Sequence, residues 1–265
     1  GCPFECAYCG GALSCYRLIS GRETPIVRKP EKIAEDFQFL ASNNVEWVRL
    51  SHDPEVFGTK FYPNLFRCIR ERGVDISAYW ESFRLPSEPL IKEANKTFRS
   101  LSIAISPESA IDETRARVGR AFRNKDMFKA LELLGRDDVS TDVYFLVGLP
   151  FEDRKTTEKM IDLARRILAQ NNNVFVQPPF PYTIDPNCHM AIEPKKYGIR
   201  LLFKTFEDYR DMCTKLGWYN WIGHETDKLS RKEITELTRQ VHNTIIEFYK
   251  NDFAENFARR SRSDG

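Results

Sequence analysis

Cys2, Cys6 and Cys9 stand within the first nine residues in the spacing C-x3-C-x2-C. Three thiolates on one short loop can occupy three corners of a metal centre. Iron–sulfur clusters usually take four cysteines, in runs whose spacing differs between families. A site built from three leaves one iron with an open position for another ligand. Zinc is the rival. A structural zinc site takes four nitrogen or sulfur ligands, and His52, His189 or Cys15 would have to supply the fourth. Three buried cysteines with no metal is the remaining reading. The chain has seven cysteines in 265 residues, so three at this spacing weigh against chance. The other four, Cys15, Cys68, Cys188 and Cys213, are scattered. An odd total in a chain of this size argues against a disulfide framework and for a reducing, cytoplasmic setting.

Such a loop needs a rigid scaffold, and the composition can supply one. A hydrophobic fraction of 42% with 29% charged residues allows a sizeable core and excludes a disordered chain. Forty basic against thirty-eight acidic residues leave a net charge of +2, so binding to nucleic acid through phosphate contacts is not indicated. No apolar run approaches the roughly 20 residues that span a bilayer. The chain opens on Gly1 with no signal-peptide pattern and reads as a piece of something longer.

Strand-like and helix-like segments alternate. Runs rich in β-branched and aromatic residues at 46–50, 75–80, 101–105, 143–147 and 174–176 predict five strands. Between them, Pro30 is placed like a first-turn proline ahead of Ile33, Phe37 and Leu40. Leu65 and Ile69 before Gly73, and Met127, Leu131 and Leu134 before Gly135, predict helices with glycine stops. Met160, Leu163, Ala164, Ile167 and Leu168 form the clearest apolar stripe, and 88–97 predicts a short helix. Strands separated by helices imply a parallel sheet with helical crossovers, either part of a (β/α) barrel or a doubly wound sheet. In a barrel, the chemistry sits at the C-terminal ends of the strands. Residues 199–216 and 232–249 predict two further helices, and 259–263 a basic, solvated tail.

The cysteine spacing, with Tyr8 just before the third thiol, resembles the signature of the radical S-adenosylmethionine (SAM) enzymes. Ser106-Pro107-Glu108-Ser109, after the third strand, resembles that superfamily's fourth-strand motif, and Gly148-Leu149-Pro150-Phe151-Glu152-Asp153 its fifth-strand loop. Asp185-Pro186, Lys196-Tyr197-Gly198 and the run from Phe203 to Tyr209 resemble a subgroup often fused to a cobalamin-binding domain. The resemblance covers nearly the whole chain.

It implies an α/β fold, a partial (β/α)6 TIM-like barrel. The family's first strand ends just before the cysteine loop, so five strands here plus one missing make six. Residues 1–190 would be the core barrel and 191–265 a C-terminal helical extension. Cys2, Cys6 and Cys9 would hold a four-iron–four-sulfur cluster whose fourth iron is chelated by SAM. The expected activity is reductive cleavage of SAM to a 5′-deoxyadenosyl radical acting on a substrate the residues do not name. An electron donor such as flavodoxin or ferredoxin is implied, and cobalamin would come through an upstream domain. Among the SAM contacts, Tyr8 would lie near the adenine, Ser106 and Glu108 would meet polar groups, and Arg120 would bind the carboxylate. Gly148 and Pro150 would shape the loop beneath the adenine. Two departures stand out. The second family strand often ends in two glycines and an acid. Here it ends Ser51-His52-Asp53-Pro54, leaving Asp53 as the acid. Asp185-Pro186 is followed by Asn187-Cys188 where relatives tend to have Gly-Ser. No D-x-H-x-x-G cobalamin signature occurs. The alternative is a non-catalytic iron–sulfur or zinc protein using the same cysteines.

Overall fold

The computed structural model describes residues 1–58, 60–170 and 173–263, the last thirteen as backbone only. After a first helix α1 (Leu13–Ser20), the chain builds α2 (Pro30–Ser42), β1 (Trp47–Leu50), α3 (Phe61–Glu71), β2 (Ser77–Ser82) and α4 (Glu88–Asn95). Next come β3 (Leu101–Glu108), α5 (Asp112–Arg117), α6 (Asn124–Arg136), β4 (Ser140–Val147) and α7 (Arg154–Leu168). Two short strands follow, β5 (Val174–Val176) and β6 (Phe180–Pro181), and then α8 (His189–Ile192). The C-terminal part holds β7 (Ile199–Leu201), α9 (Phe206–Thr214), β8 (His224–Thr226) and α10 (Arg231–Ser263).

All five expected strands are present and pair in parallel in the order β1-β2-β3-β4-β5, with β6 also alongside β4. The order decides between the two candidate architectures. A doubly wound sheet reverses direction once. A strand order that never reverses, joined by crossovers of one hand, puts every helix on the same face. This is the winding of a barrel, here open, with β1 and β5 at its ends among the described residues. The faces agree. Along β4, Thr141, Val143, Phe145 and Val147 are buried, while Ser140, Asp142, Tyr144 and Leu146 alternate with them and are only partly covered. The buried set joins Phe37, Leu65, Ile69, Leu131, Leu163 and Ile167 of the helices in one apolar core.

Local chemistry sets the helix ends. Pro30 is at the first turn of α2, and Gly73 follows α3 at φ 62°. Asp153 and Thr156 form a reciprocal capping box on α7. Gly135 does not stop α6, which runs on to Arg136. Asp138, at φ 55°, takes the left-handed position instead.

The largest correction concerns 199–216. Instead of one helix, Ile199–Leu201 pairs antiparallel with β8, and α9 starts only after a Thr205–Asp208 capping box. Ile199 is buried and Arg200 exposed, a period of two that a strand explains. Its partner lies some 25 residues further on, beyond the reach of local periodicity. The helix expected at 232–249 is the body of α10. Its Ile234, Leu237, Val241 and Ile245 enter the main core, and the Tyr249 hydroxyl donates to the Val176 carbonyl at 2.9 Å. The side chains of the basic tail at 259–263 lie outside those described.

Candidate functional site

The cysteine loop is held by backbone on two sides. Ala7 N–H donates to the Val118 carbonyl at 3.1 Å, and the Ala7 and Tyr8 carbonyls accept from Met190 and Asp185 at 2.9 and 3.1 Å. Gly10 N–H donates to the Asp185 carboxylate at 2.9 Å. Asp185 of the Asp185-Pro186 pair therefore clamps the cysteine loop. A second, smaller core that includes Ala7, Cys15, Val118, Tyr182, Cys188 and Met190 packs around these contacts.

Gly119 makes the closest approach. Its φ is +98°, and a Cβ there would lie 2.9 Å from the Cys6 Cα and 3.0 Å from the Glu5 carbonyl oxygen. Gly119→Ala should therefore displace Cys6 and add at least about 1–2 kcal/mol of backbone strain. The expected result is less than half the iron uptake of the native chain on anaerobic reconstitution, with an unchanged far-ultraviolet circular dichroism spectrum. Native iron content in Gly119→Ala would show that this contact does not hold the loop.

The thiols of Cys2, Cys6 and Cys9 are free and half-buried. Burial pushes the Cys6 thiol up to about 11 and raises the other two, while the Arg120 guanidinium pulls all three down. Among the described residues no three His, Cys, Asp or Glu side chains are drawn together tightly enough to hold a single metal ion. The thiols sit on one loop and none is paired in a disulfide. The fourth zinc ligands considered are engaged elsewhere. His189 Nε2 lies 2.9 Å from Ser14 Oγ and 3.2 Å from Glu5, Cys15 donates to the Asn187 carbonyl, and His52 packs between Phe57 and Phe83. Cys188 is fully buried just before α8.

Beside the loop, on the face of the sheet away from the helices, lies a cavity of about 470 Å³. Tyr8, Ser106, Glu108 and Arg120 line it, together with Arg49, Tyr79, Glu81, Tyr144 and Leu146. The strand pleat puts Tyr79, Glu81 and Tyr144 on this face. Glu108 is 4% exposed, at φ 63° where β3 ends. It accepts from the Tyr8 hydroxyl at 2.5 Å and from Arg120 Nη2 at 3.2 Å. Burial raises the Glu108 pKa against the pull of Arg120 and Tyr8. Arg120 also reaches Glu81 at 3.0 Å and the Phe83 carbonyl at 3.0 Å. Its Nε is buried with no partner, a polar atom left over for a ligand.

The other candidates do not line this cavity. Asp53 is buried, with one carboxylate oxygen accepting from Glu55 N–H and the other from Phe83 N–H, each at 2.9 Å. Burial lifts its pKa to about 6. Asp53 thereby fixes the loop whose Phe83 carbonyl holds Arg120. Gly148, at φ +93°, leaves room for Ile234 of α10, since a Cβ there would lie 2.7 Å from its Cγ2. Its carbonyl accepts from a ring nitrogen of His224 at 2.9 Å. Pro150 is buried in the turn after β4. The competing arginines separate clearly. Arg115 is fully buried and spends its donors on carbonyls of Pro107, Ser109 and Phe122 and on the Asn124 side chain, while Arg117 and Arg123 are exposed.

Sequence reasoning missed Glu81, Arg49, Tyr79 and Tyr144. The alternation of large polar with apolar residues along β2 and β4 was the signal for three of them. It also missed Glu152, whose buried carboxylate accepts from the Ser109 hydroxyl and whose pKa burial raises to about 7.

An open, singly wound parallel α/β barrel with a three-cysteine loop against its polar face defines a class of cluster-bearing barrel enzymes. Residues 1–164 match the radical SAM superfamily, and the chain belongs to it. Members of this superfamily are enzymes that use a four-iron–four-sulfur cluster and SAM. An uncharacterized protein of Methanocaldococcus jannaschii is 23% identical over 236 residues, 80% of this chain and 49% of that protein. Among solved structures, the radical SAM methyltransferase TsrM of Kitasatospora setae, with cobalamin and a 4Fe–4S cluster bound, superposes with TM-score 0.59 at 14% identity. That match covers 77% of this chain and 41% of TsrM. The cobalamin-dependent radical SAM enzyme OxsB superposes with TM-score 0.61 at 10% identity, covering 89% of this chain and 39% of OxsB. The chain spans about half or less of the length of the curated relatives it matches. No helix among the described residues is long and apolar enough to cross a membrane.

Proposed function

We propose that this chain is the catalytic core of a radical SAM enzyme of the cobalamin-associated kind. In this reading Cys2, Cys6 and Cys9 bind the cluster, and Tyr8, Ser106, Glu108 and Arg120 bind SAM. Cobalamin is carried by another domain, and methyl transfer is the reaction. The observation that carries the reading is the position of three free thiols beside a polar cavity at the strand ends of a parallel barrel. When bound, the cluster and SAM supply one-electron cleavage of the sulfonium and a 5′-deoxyadenosyl radical that takes hydrogen from the substrate.

The chain's own residues prepare that chemistry. Arg120 offsets the charge of the thiolates and, with Tyr8, holds the Glu108 carboxylate in place. The Tyr8 ring packs edge-on against Tyr182, and Phe4 against Phe83, which puts aromatic walls where water must be kept out. Asp53 keeps the Phe83 loop in place and has no oxygen free of backbone amides. Gly148 and Pro150 shape the turn after β4, through which α10 seats against the barrel. Residues 1–190 act as the barrel and 191–265 as the extension, with α10 completing the apolar core. A ferredoxin or flavodoxin delivers the electron.

The test is anaerobic reconstitution of the full-length protein followed by reduction with dithionite and SAM. About four irons per chain are expected. Methionine, with 5′-deoxyadenosine or S-adenosylhomocysteine, should accumulate. A loaded cluster that neither cleaves SAM nor changes its EPR signal when SAM is added would favour the electron-carrier alternative.

A further inference from the structure

The cavity lining carries two arginines and two acids, and their pairing is uneven. Arg120 answers both acids, Glu81 and Glu108. The cavity's other cation, Arg49, forms no ion pair among the described residues and is exposed on the open face of β1. Its guanidinium carbon stands 5.6 Å from the centroid of the Tyr79 ring, its neighbour in the parallel register. The ring lies against the guanidinium, which has no acid to meet among the described residues, an arrangement that suits an oxyanion. The Tyr79 ring therefore lies beside the free guanidinium. Tyr144 lines the same cavity.

Depth along the strands separates this group from the cysteine loop. Tyr79 precedes Glu81 by two residues on β2, so the Arg49–Tyr79 row lies about 7 Å deeper than the row that carries Glu81 and Arg120. A molecule anchored at Arg49 would extend from there toward Arg120 and the thiols.

We propose that Arg49, set beside the Tyr79 ring, is the docking point for an oxyanion, carboxylate or phosphate, carried by the substrate. This rests on the radical SAM reading and adds the substrate's chemical class to it.

The test uses the full-length protein, reconstituted and saturated with SAM, titrated calorimetrically with inorganic phosphate and separately with succinate. At least one anion should bind in the millimolar range. Arg49→Gln should weaken it about tenfold or more, Arg49→Lys less, and the SAM dissociation constant should stay within about twofold. Binding of phosphate alone marks a phosphorylated substrate, and binding of succinate marks a carboxylate. Tyr79→Leu, which removes the ring beside Arg49, should weaken the same anion by a smaller factor. Arg49 is exposed, so its variants should keep the native thermal midpoint, which is measured alongside. The proposal is overturned if neither anion binds, if Arg49→Gln binds as the native protein does, or if Arg49→Gln loses SAM affinity. A preparation that takes up no iron fails earlier, at the metal assay, and overturns the radical SAM reading itself.

Discussion

Cys6→Ala should leave the protein with almost no iron after anaerobic reconstitution, against about four irons per chain in the native protein. A cluster needs all of its thiolates, and no described side chain stands ready to replace this one. Cys15 is buried and bonded to the Asn187 carbonyl, and Cys188 is fully buried in the smaller core. Cys6 is also the thiol that the structure grips hardest, between Gly119 on one side and the hydrogen bond from Ala7 to Val118 next to it. The loss should appear as a colourless protein lacking sulfur-to-iron charge-transfer absorption. Cys213 is exposed and Cys213→Ala should load normally, so it controls for handling and oxidation. Full iron content in Cys6→Ala would falsify the cluster assignment.

Arg120→Ala should cost about 3–5 kcal/mol of stability, the usual consequence of leaving buried charge without its partner. Glu108 and Arg120 have 6% and 8% of their side chains exposed, so solvent screens their contact little. Glu81 loses the same partner. Urea denaturation of the cluster-free protein reads the effect without interference from the metal. Arg120→Lys should recover only part of it, because an ammonium cannot span Glu81, Glu108 and the Phe83 carbonyl in one plane. Adding Glu108→Gln to Arg120→Ala should recover more, since it removes the stranded carboxylate. A midpoint unchanged in the single variant would mean that Glu108 is held by Tyr8 alone.

Much of the scaffold was legible because it is local. Parallel strands buried between other strands and helices read as β-branched runs, and the stripe from Met160 to Leu168 repeats as α7 requires. The extension was read less well. The sequence has helix-forming residues throughout 199–216, but Ile199–Leu201 finds its pair in His224–Thr226, and a contact at that separation leaves no local trace.

The sequence by itself determined the chemistry available, namely three thiols at a specific spacing and a set of polar residues just past strand ends. Spacing along a loop is a covalent property, and no fold is needed to see it. Which polar residues gather was decided only by tertiary structure. Four arginines between 115 and 123 look alike in one dimension. Burial spends Arg115 on backbone carbonyls, leaves Arg117 and Arg123 in solvent, and brings Arg120 between Glu81 and Glu108. Asp53 caps a turn and Gly148 admits Ile234, packing roles that spacing along the chain does not reveal. Arg49 is one of 40 basic residues until three strands line up and its row proves to contain no acid to meet it. Pairing between distant strands sets that row, and at its exposed edge a guanidinium can stay in water without a partner and so remain free for a ligand.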